Sequence, residues 1–516
     1  MADGGASTGE AMAPLKRLLL PFAAMLGTFM QVLDTSIANV CLPHMQAQLN
    51  ATPESVTWVL TSYILAAAVA TPLTGTLENW LGRRAVFTGA VGGFTLASAM
   101  CGGAPTLGTM VIARVLQGLF GALLLPLAQA VMIDAYPGEK RARAIMLWSM
   151  ATMIAPIVGP VIGGIITENM SWRWVFYINI PVGIFCTIAL WLLVAPGRPV
   201  RRPFDMTGFA LLATAFASLQ LMLDRGTLQD WFDSTEIKLE AAVAVSAFWM
   251  YFIHSITTRH PLIPRPLFRD RNFAMAMALM LVVVSVQYSS QALLPPMLQT
   301  LLRYSTEQAG ILMAPRGFGT MIAMLISGRM TSSGKVDIRI LMIFGLAVLS
   351  FSQYLMTGFD LEMSGMPVVI GGFLQGFGMG FVAIPLTIVA YVTLSPKLST
   401  DAAAVFAMVR NLSASVAIAS VGALTAHNFQ EFHASVGEHV TQASMPLLDG
   451  RLIDQLGRAG GTVAAMIDAE VNRQAAMIAY LNDYWLMKWG ALLAMPFILM
   501  LRPRGRVTAE PGNVVD

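Results

Sequence analysis

The sequence predicts an all-α membrane protein with fourteen transmembrane helices, arranged as two six-helix halves plus two inserted helices. Three observations predict this class. Of the 516 residues, 56% are hydrophobic and only 12% are charged, whereas a soluble protein carries about 25% charged residues. Apolar runs long enough to span a bilayer recur along the chain. The parts of the chain before and after residues 206–258 also repeat one another.

Fourteen apolar runs define the expected spans. They lie at residues 18–42, 56–78, 85–103, 108–132, 144–166, 175–195, 206–223, 239–258, 274–295, 308–328, 339–358, 366–392, 402–426 and 484–501. The first 15 residues contain no apolar core, so we expect the first span to act as an uncleaved signal. An even number of spans places both termini on the same side of the membrane.

The basic residues indicate which side that is. Of the 32 Lys and Arg residues, 21 lie in or next to the two tails and the loops on the same side, and eight lie in or next to the opposite loops. Because cytoplasmic loops carry the excess of basic residues, both termini are expected in the cytoplasm. The predicted domains are a cytoplasmic N-tail (1–17), an N-terminal half (18–195), two inserted helices (206–258), a C-terminal half (274–501) with an outer loop (427–483), and a cytoplasmic C-tail (502–516).

An internal repeat supports the two halves. A shift of 253 residues places four residues of the first half on identical residues of the second. The matches are Pro43 with Pro296, Gln46 with Gln299, Glu54 with Glu307, and Gly75 with Gly328. The stretch LQGLFGALLLPL (116–127) also resembles LQGFGMGFVAIPL (374–386). Two similar halves around a central cavity are typical of secondary transporters.

Asp34 is the only acidic residue that we place deep in a span, since Asp134 and Glu240 lie near span ends. It lies about 24 Å from Leu18 at 1.5 Å per residue, past the bilayer midplane. A carboxylate at such a depth costs about 2.5–3.5 kcal/mol and must face protein or a water-filled cavity. Such a group can carry a proton as its surroundings alternate. The alternative is a fixed ion pair that only holds two spans together.

Three arginines also fall inside spans, where each is expensive for the same reason. Arg114 is the natural partner of Asp34, either directly or through substrate and water. Its alternative role is to hold helices together by bonding to backbone carbonyls. Arg316 and Arg410 are candidates for the wall of a substrate cavity in the second half.

Polar and aromatic side chains inside spans are further candidates for that cavity, which the 35 methionines would make adaptable. They are Gln31, Asn39, Gln117, Trp148, Gln287, Tyr288, Gln375 and Phe406. The repeat places Gln287 at the position equivalent to Asp34. We therefore expect only the first half to keep a proton site.

Two segments are candidates for gating. The fifth span contains APIVGPVIGG, whose prolines kink a helix and whose glycines permit close helix approach. These residues are Pro156, Gly159, Pro160, Gly163 and Gly164.

The segment GTLENWLGRR after the second span is the other gating candidate. We expect Gly75 and Gly82 to form a tight turn there, and Arg83 and Arg84 to pair with acids at span ends, with Asp134 a candidate. Simple anchoring by basic cytoplasmic residues is the alternative.

Several functional classes lack their sequence features. No basic patch interleaved with aromatic residues is present, so nucleic acid is not an expected partner. The three cysteines show no metal-site spacing, and His433, Glu438 and His439 do not match a zinc-protease motif, so no metal is expected. No Walker A or hydrolase motif occurs, which argues against an enzyme and against ATP as the energy source.

The pieces LDTSIANVCLP, GTLENWLGRR, RVLQG, GPVIGG and LQLMLDRGTLQDWF (219–232) together resemble the major facilitator superfamily. Within it, the chain resembles most the fourteen-helix drug:proton antiporters of the EmrB/QacA type. The resemblance implies the major facilitator fold, a bacterial inner-membrane location, and export of amphipathic drugs by alternating access. The proton gradient would supply the energy, without a cofactor. In EmrB-like members, a periplasmic adaptor and an outer-membrane channel complete the pump.

The resemblance also assigns residues. Asp34 and Arg114 carry over as proton-coupling residues, and the fifth-span motif as the antiporter signature. The sequence departs from the family where Asn79 and Trp80 replace the usual aspartate and arginine, and where the early glycine of the signature is missing, with Ala151 and Ala155 in its place. A facilitator-type importer of a small metabolite, and a sensor or scaffold that moves no solute, are the alternative functions.

Overall fold

The computed structural model describes residues 14–56, 58–136, 140–197, 203–226, 229–395, 398–438 and 460–501. Every regular element within these ranges is helical. The long helices are α1 (Pro14–Gln48), α2 (Trp58–Leu81), α3 (Arg83–Gly102), α4 (Leu107–Ala135), α5 (Lys140–Asn169), α6 (Asn179–Leu193), α7 (Met206–Arg225), α8 (Thr235–Thr257), α9 (Arg271–Pro296), α10 (Thr306–Ser333), α11 (Ile338–Met356), α12 (Met366–Val392), α13 (Ser399–Glu438) and α14 (Gly460–Leu499).

Twelve of these helices, among the described residues, contain a stretch long and apolar enough to cross a membrane. The all-helical class predicted from composition is therefore confirmed, as is a chain with many spans. Helices α5 and α14 overlap the fifth and fourteenth predicted spans but are not among the twelve.

Local sequence explains where several helices begin. The first N–H groups of a helix lack partners within it, and a Ser, Thr or Asp side chain at the preceding residue accepts from one of them. Thr106 and Ser305 do this for α4 and α10, each in a reciprocal capping box. Asp270 and Asp337 cap α9 and α11.

Some helices extend beyond the predicted spans. Helix α1 begins before residue 18 and ends after residue 42, while α13 and α14 enter the predicted outer segment 427–483 from its two ends. A helix satisfies its own backbone hydrogen bonds, so it can continue past the bilayer with polar side chains in water. Hydropathy detects only the part that crosses the apolar layer.

Contacts between Cα atoms divide the chain into two compact units. The first contains the described residues within Met1–Leu219, Ala241–Leu267 and Leu394–Met408, and the second those within Gln220–Glu240, Phe268–Thr393 and Val409–Asp516. Among the described residues, the two larger apolar clusters of the first unit lie around Phe87 and Leu124 and around Ile37 and Phe176.

Candidate functional site

Asp34 lies at the centre of a buried polar network in the first unit. Its Oδ2 accepts a hydrogen bond of 2.8 Å from Arg114 Nη1, which makes an ion pair with neither side chain exposed. Its Oδ1 accepts from Gln117 Nε2 at 2.9 Å and from Asn179 Nδ2 at 2.8 Å. The carboxylate is thus bonded to α4 and α6 from its place on α1.

Arg114 is held by more than the carboxylate. Its Nη1 also donates to Gln117 Oε1 at 2.7 Å, and its Nε donates to the backbone oxygen of Val59 on α2 at 2.9 Å. The guanidinium carbon lies 4.4 Å from the centre of the Tyr63 ring, a favourable cation–π distance. Nη2 has no hydrogen-bond partner in the described part of the chain.

Ser98 of α3 completes the network. Its Oγ accepts hydrogen bonds from Gln117 Nε2 at 3.1 Å and from Asn179 Nδ2 at 2.8 Å, and it donates to the Phe176 backbone oxygen at 3.2 Å. A buried charge pair is tolerated only when such additional bonds satisfy its remaining atoms. Proton uptake by Asp34 would remove the negative charge opposite Arg114, and so weaken a contact that joins α1 to α4.

The glycines of α5 explain how this helix reaches α1 beside Asp34. A Cβ placed on Gly159 would lie 2.6 Å from Ser36 Oγ, and one on Gly163 would lie 2.8 Å from Ile37 Cγ2. A Cβ placed on Gly164 would have no neighbouring atom within 4 Å. The first two glycines therefore permit the helix contact, whereas Gly164 does not take part. Pro156 and Pro160 fall within α5, and their side chains lie outside the described part of the chain.

Arg83 binds two acids at the junction of α2 and α3. Its Nε lies 2.6 Å from Glu78 Oε1, and its Nη1 bonds to Asp134 at the end of α4. The turn itself is Gly82 alone, with a φ of +78°. Gly75 is not part of a turn, because α2 continues to Leu81. Instead, Gly75 lies against Asp401, since a Cβ there would lie 2.2 Å from Asp401 Oδ1.

We expected Arg84 to pair with an acid, but it forms no ion pair with any residue that the structure describes. Its guanidinium lies 4.2 Å from the centre of the Trp191 ring on α6, and its Nε has no hydrogen-bond partner among the described residues. Arg84 is the second residue of α3, and its guanidinium lies over an aromatic ring of α6 instead of pairing with Asp134 at the end of α4.

The two residues that depart from the family pattern line a cavity of about 470 Å³ in the first unit. Asn79 and Trp80 form one wall of it, with Asp205, Arg259 and Asp401 among the other lining residues. The Trp80 ring also makes an edge contact of 5.4 Å with Phe204. The indole is therefore used for packing at the place where the family carries an arginine.

In the second unit, the structure brings Arg316, Gln287 and Tyr288 together. Arg316 Nη2 donates to the Gln287 backbone oxygen at 3.1 Å, while Nη1 has no hydrogen-bond partner in the described ranges. The phenols of Tyr288 and Tyr484 are close enough to interact with the guanidinium electrostatically. Gln375 is 1% exposed, and neither of its polar side-chain atoms is bonded to a described residue.

The remaining cavity candidates are dispersed. Trp148 lies in the apolar cluster around Leu124, and Phe406 is buried in the first unit. Gln31 lies near the Tyr63 hydroxyl. Arg410 is half-buried, and the side chain of Asn39 lies outside the described part of the chain.

Sequence reasoning missed three functional candidates. Ser98 and Asn179 belong to the Asp34 network. Asn179 could have been found from sequence, because, like Gln117, it is a polar side chain inside a predicted span. Asp483, which we assigned to the outer loop, is fully buried on α14. Asp34 is therefore not the only fully buried carboxyl among the described residues, although it is the only one that we placed deep in a span. Among the described residues, no cluster of His, Cys, Asp and Glu could hold a metal ion.

Comparison with known proteins gives one consistent result. Residues 24–418 match the model of the Major Facilitator Superfamily. The fatty acid resistance protein FarB of Neisseria gonorrhoeae is 33% identical over 499 residues, which cover 95% of this chain and 97% of that protein. The multidrug export proteins EmrB of Haemophilus influenzae and Escherichia coli are each 31% identical, over 94% of this chain and 96% and 95% of their own lengths.

Proposed function

This chain belongs to the major facilitator superfamily, and on that premise we propose that it is a proton-driven exporter of amphipathic toxic compounds. Family membership confirms the resemblance drawn from the motifs, and it makes the chain a transporter rather than an enzyme. Export of several drugs is the activity named for its EmrB relatives, and resistance to fatty acids the one named for FarB.

The buried ion pair of Asp34 and Arg114 is the observation that carries the proposal. A carboxylate deep in a span is retained where it serves transport, because it is expensive there. Asp34 takes up a proton on one side of the membrane and releases it on the other. Loss of its charge loosens α1 from α4, and this couples the proton to the change between outward and inward access.

We further propose the arrangement that supports this cycle. Fourteen spans form two six-helix halves, residues 18–195 and 274–501, with the helices of 206–258 inserted between them. Both termini lie in the cytoplasm and the chain lies in a bacterial inner membrane. The contact of α5 with α1 and the cluster of Glu78, Arg83 and Asp134 act as gates.

The substrate and partners follow from the same proposal. Drugs bind in a cavity for which Gln375 and Arg316 of the second unit are candidate lining residues. The proton gradient is the energy source, and no cofactor is needed. A periplasmic adaptor and an outer-membrane channel carry the compound onward.

A susceptibility panel tests the proposal. Wild type and Asp34→Asn are expressed at equal abundance in a strain without its own drug pumps, with and without a co-expressed adaptor. We expect wild type to raise the inhibitory concentration of several amphipathic drugs several-fold, and Asp34→Asn to return it to the level of the empty vector. Full resistance with Asp34→Asn would show that the coupling assignment is wrong.

Vesicles separate the proposed exporter from its alternatives. Purified protein in proteoliposomes should move a fluorescent amphipathic dye against its gradient when a pH gradient is imposed, and stop when the pH gradient is dissipated. An importer would move solute without that dependence. A sensor or scaffold would move none.

A further inference from the structure

Asp483 is a second deeply buried carboxyl, and it lies in the second unit. It is on α14, with none of its surface exposed. Roughly sixteen residues, or about 24 Å of helix, separate it from the end of α14 at Leu499. Asp34 lies the same distance from the start of the first predicted span. Among the described residues, Asp34 is thus the buried carboxyl of the first unit and Asp483 that of the second.

The hydrogen bonds around Asp483 indicate which form of the carboxyl is present. Thr425 Oγ1 on α13 lies 2.7 Å from the Val421 backbone oxygen and also within hydrogen-bond distance of Asp483 Oδ2. A hydroxyl group carries one proton and can donate only once. A backbone carbonyl oxygen can only accept, and so can an ionised carboxylate, so Val421 and an ionised Asp483 would both need the single Thr425 proton. A protonated Asp483 removes this competition, because its carboxyl O–H donates to Thr425 Oγ1 while Thr425 donates to Val421.

The charges around Asp483 agree with a neutral carboxyl. In the described ranges it makes no ion pair, and its Oδ1 has no hydrogen-bond partner. The titratable groups that face it are the phenols of Tyr480 and Tyr484 on its own helix, and α13 presents the uncharged Thr425. A buried carboxylate without a cation takes up a proton instead of remaining charged. Asp34 differs from Asp483, because a guanidinium and two amide groups donate hydrogen bonds to it and favour its charged form.

The two nearby cations, Arg316 and Lys488, contact groups other than Asp483. Arg316 of α10 interacts with Tyr484 and with the Gln287 backbone. Lys488, further along α14, lies 5.0 Å from the centre of the Trp489 ring and 5.6 Å from that of Tyr354 on α11. Neither cation forms an ion pair with Asp483.

We propose that Asp483 is protonated in this conformation and is a second proton carrier of the transport cycle. The inference rests on the proposed proton-driven export. In the step, the carboxyl O–H bond breaks, its electron pair stays on Asp483, and the proton passes to water on the side then open to it. Water on the other side returns a proton later. No redox partner is needed.

Infrared spectroscopy tests the protonation state without any transport. The difference spectrum between purified wild type and Asp483→Asn at neutral pH should contain the C=O stretching band of a protonated carboxyl, shifted in heavy water. The spectrum of Asp34→Asn should still contain this band, because that variant keeps Asp483. The amide of Asp483→Asn can still donate to Thr425, so this variant keeps the contact between α13 and α14 and is expected to fold.

Proton counting tests the role in coupling. Proteoliposomes are loaded with a pH-sensitive dye, and the protons moved per ethidium accumulated are measured. Asp483→Asn should move one proton fewer than wild type. The matched control is Asp468→Asn, an exposed carboxylate on the same helix with 64% of its side chain accessible, which should match wild type.

The outcomes are distinct. A difference spectrum without the protonated-carboxyl band overturns the proposal, and so does an unchanged proton count in Asp483→Asn. A wild type that accumulates no ethidium against its gradient overturns the proposed function and the coupling role with it. In that case the infrared band still decides whether Asp483 holds a proton.

Discussion

Asp34 and Arg114 are joined at 2.8 Å with neither side chain exposed, and each has further hydrogen bonds to neighbouring helices. Arg316 provides a contrast within the same chain. It is only 8% exposed, and among the described residues its guanidinium has a backbone oxygen as partner but no carboxylate. One buried guanidinium is therefore compensated by an opposite charge and the other is not.

This contrast predicts opposite effects on stability. Arg114→Gln leaves Asp34 buried without its cation, a change that costs about 3–5 kcal/mol when one partner of a buried pair is removed. Arg316→Gln removes a charge that has no such partner, so stability should change by less than about 1 kcal/mol or rise. The unfolding midpoint of the purified variants measures both. Equal losses of stability in the two variants would contradict the prediction. The double variant Asp34→Asn/Arg114→Gln should recover part of the stability that Arg114→Gln loses, because no buried charge is then left without its partner.

The charged residues of the site could be predicted from sequence, because a charged side chain inside an apolar run is energetically expensive and therefore stands out. An Asp or Arg inside an apolar run needs a partner, and Asp34 and Arg114 are the pair that this requirement selects. Ser98 and Asn179 carry no such cost, since an uncharged polar side chain is common in a span. Their part in the network depends on three helices meeting, which no local pattern shows.

Helix ends were less predictable for a related reason. A hydropathy window averages over many residues, so an acid at the end of an apolar run is assigned to the adjoining loop. This is how Asp483 was assigned to the outer loop, although α14 continues through it. The turn after α2 is similar, because the helical Gly75 and the positive-φ Gly82 look alike in sequence.

Three glycines of α5 should respond differently to a single added methyl group. Gly159→Ala places a Cβ 2.6 Å from Ser36 Oγ, and Gly163→Ala places one 2.8 Å from Ile37. Overpacking of this kind costs about 1–3 kcal/mol, and it would push α5 away from α1 beside Asp34. Both variants should lower the unfolding midpoint and drug resistance. Gly164→Ala has open space at that position and is the matched control. A loss with Gly164→Ala as large as the others would show that helix contact is not the cause.

The two acids that bind Arg83 should contribute unequally. The side chain of Glu78 is 12% exposed and that of Asp134 is 47% exposed. Water and salt screen the more exposed pair, so Asp134→Asn should cost less than about 1 kcal/mol and lose its effect in high salt. Glu78→Gln should cost more and remain measurable in high salt. Unfolding midpoints of both variants at low and high salt test this order, and the reverse order would contradict it.

Replacing Gly82, at the junction of α2 and α3, by any other residue should destabilise the protein. Its φ of 78° and ψ of 149° lie in a region that side chains with a Cβ avoid. Gly82→Ala should therefore cost about 1–3 kcal/mol. Asparagine tolerates the left-handed helical region, but this ψ lies outside it, so Gly82→Asn should offer no relief. Gly89→Ala in α3, with no atom within 4 Å of the new Cβ, should be neutral or stabilising because alanine favours the helix. If Gly82→Asn were markedly more stable than Gly82→Ala, the turn would have to relax into the left-handed region in the protein.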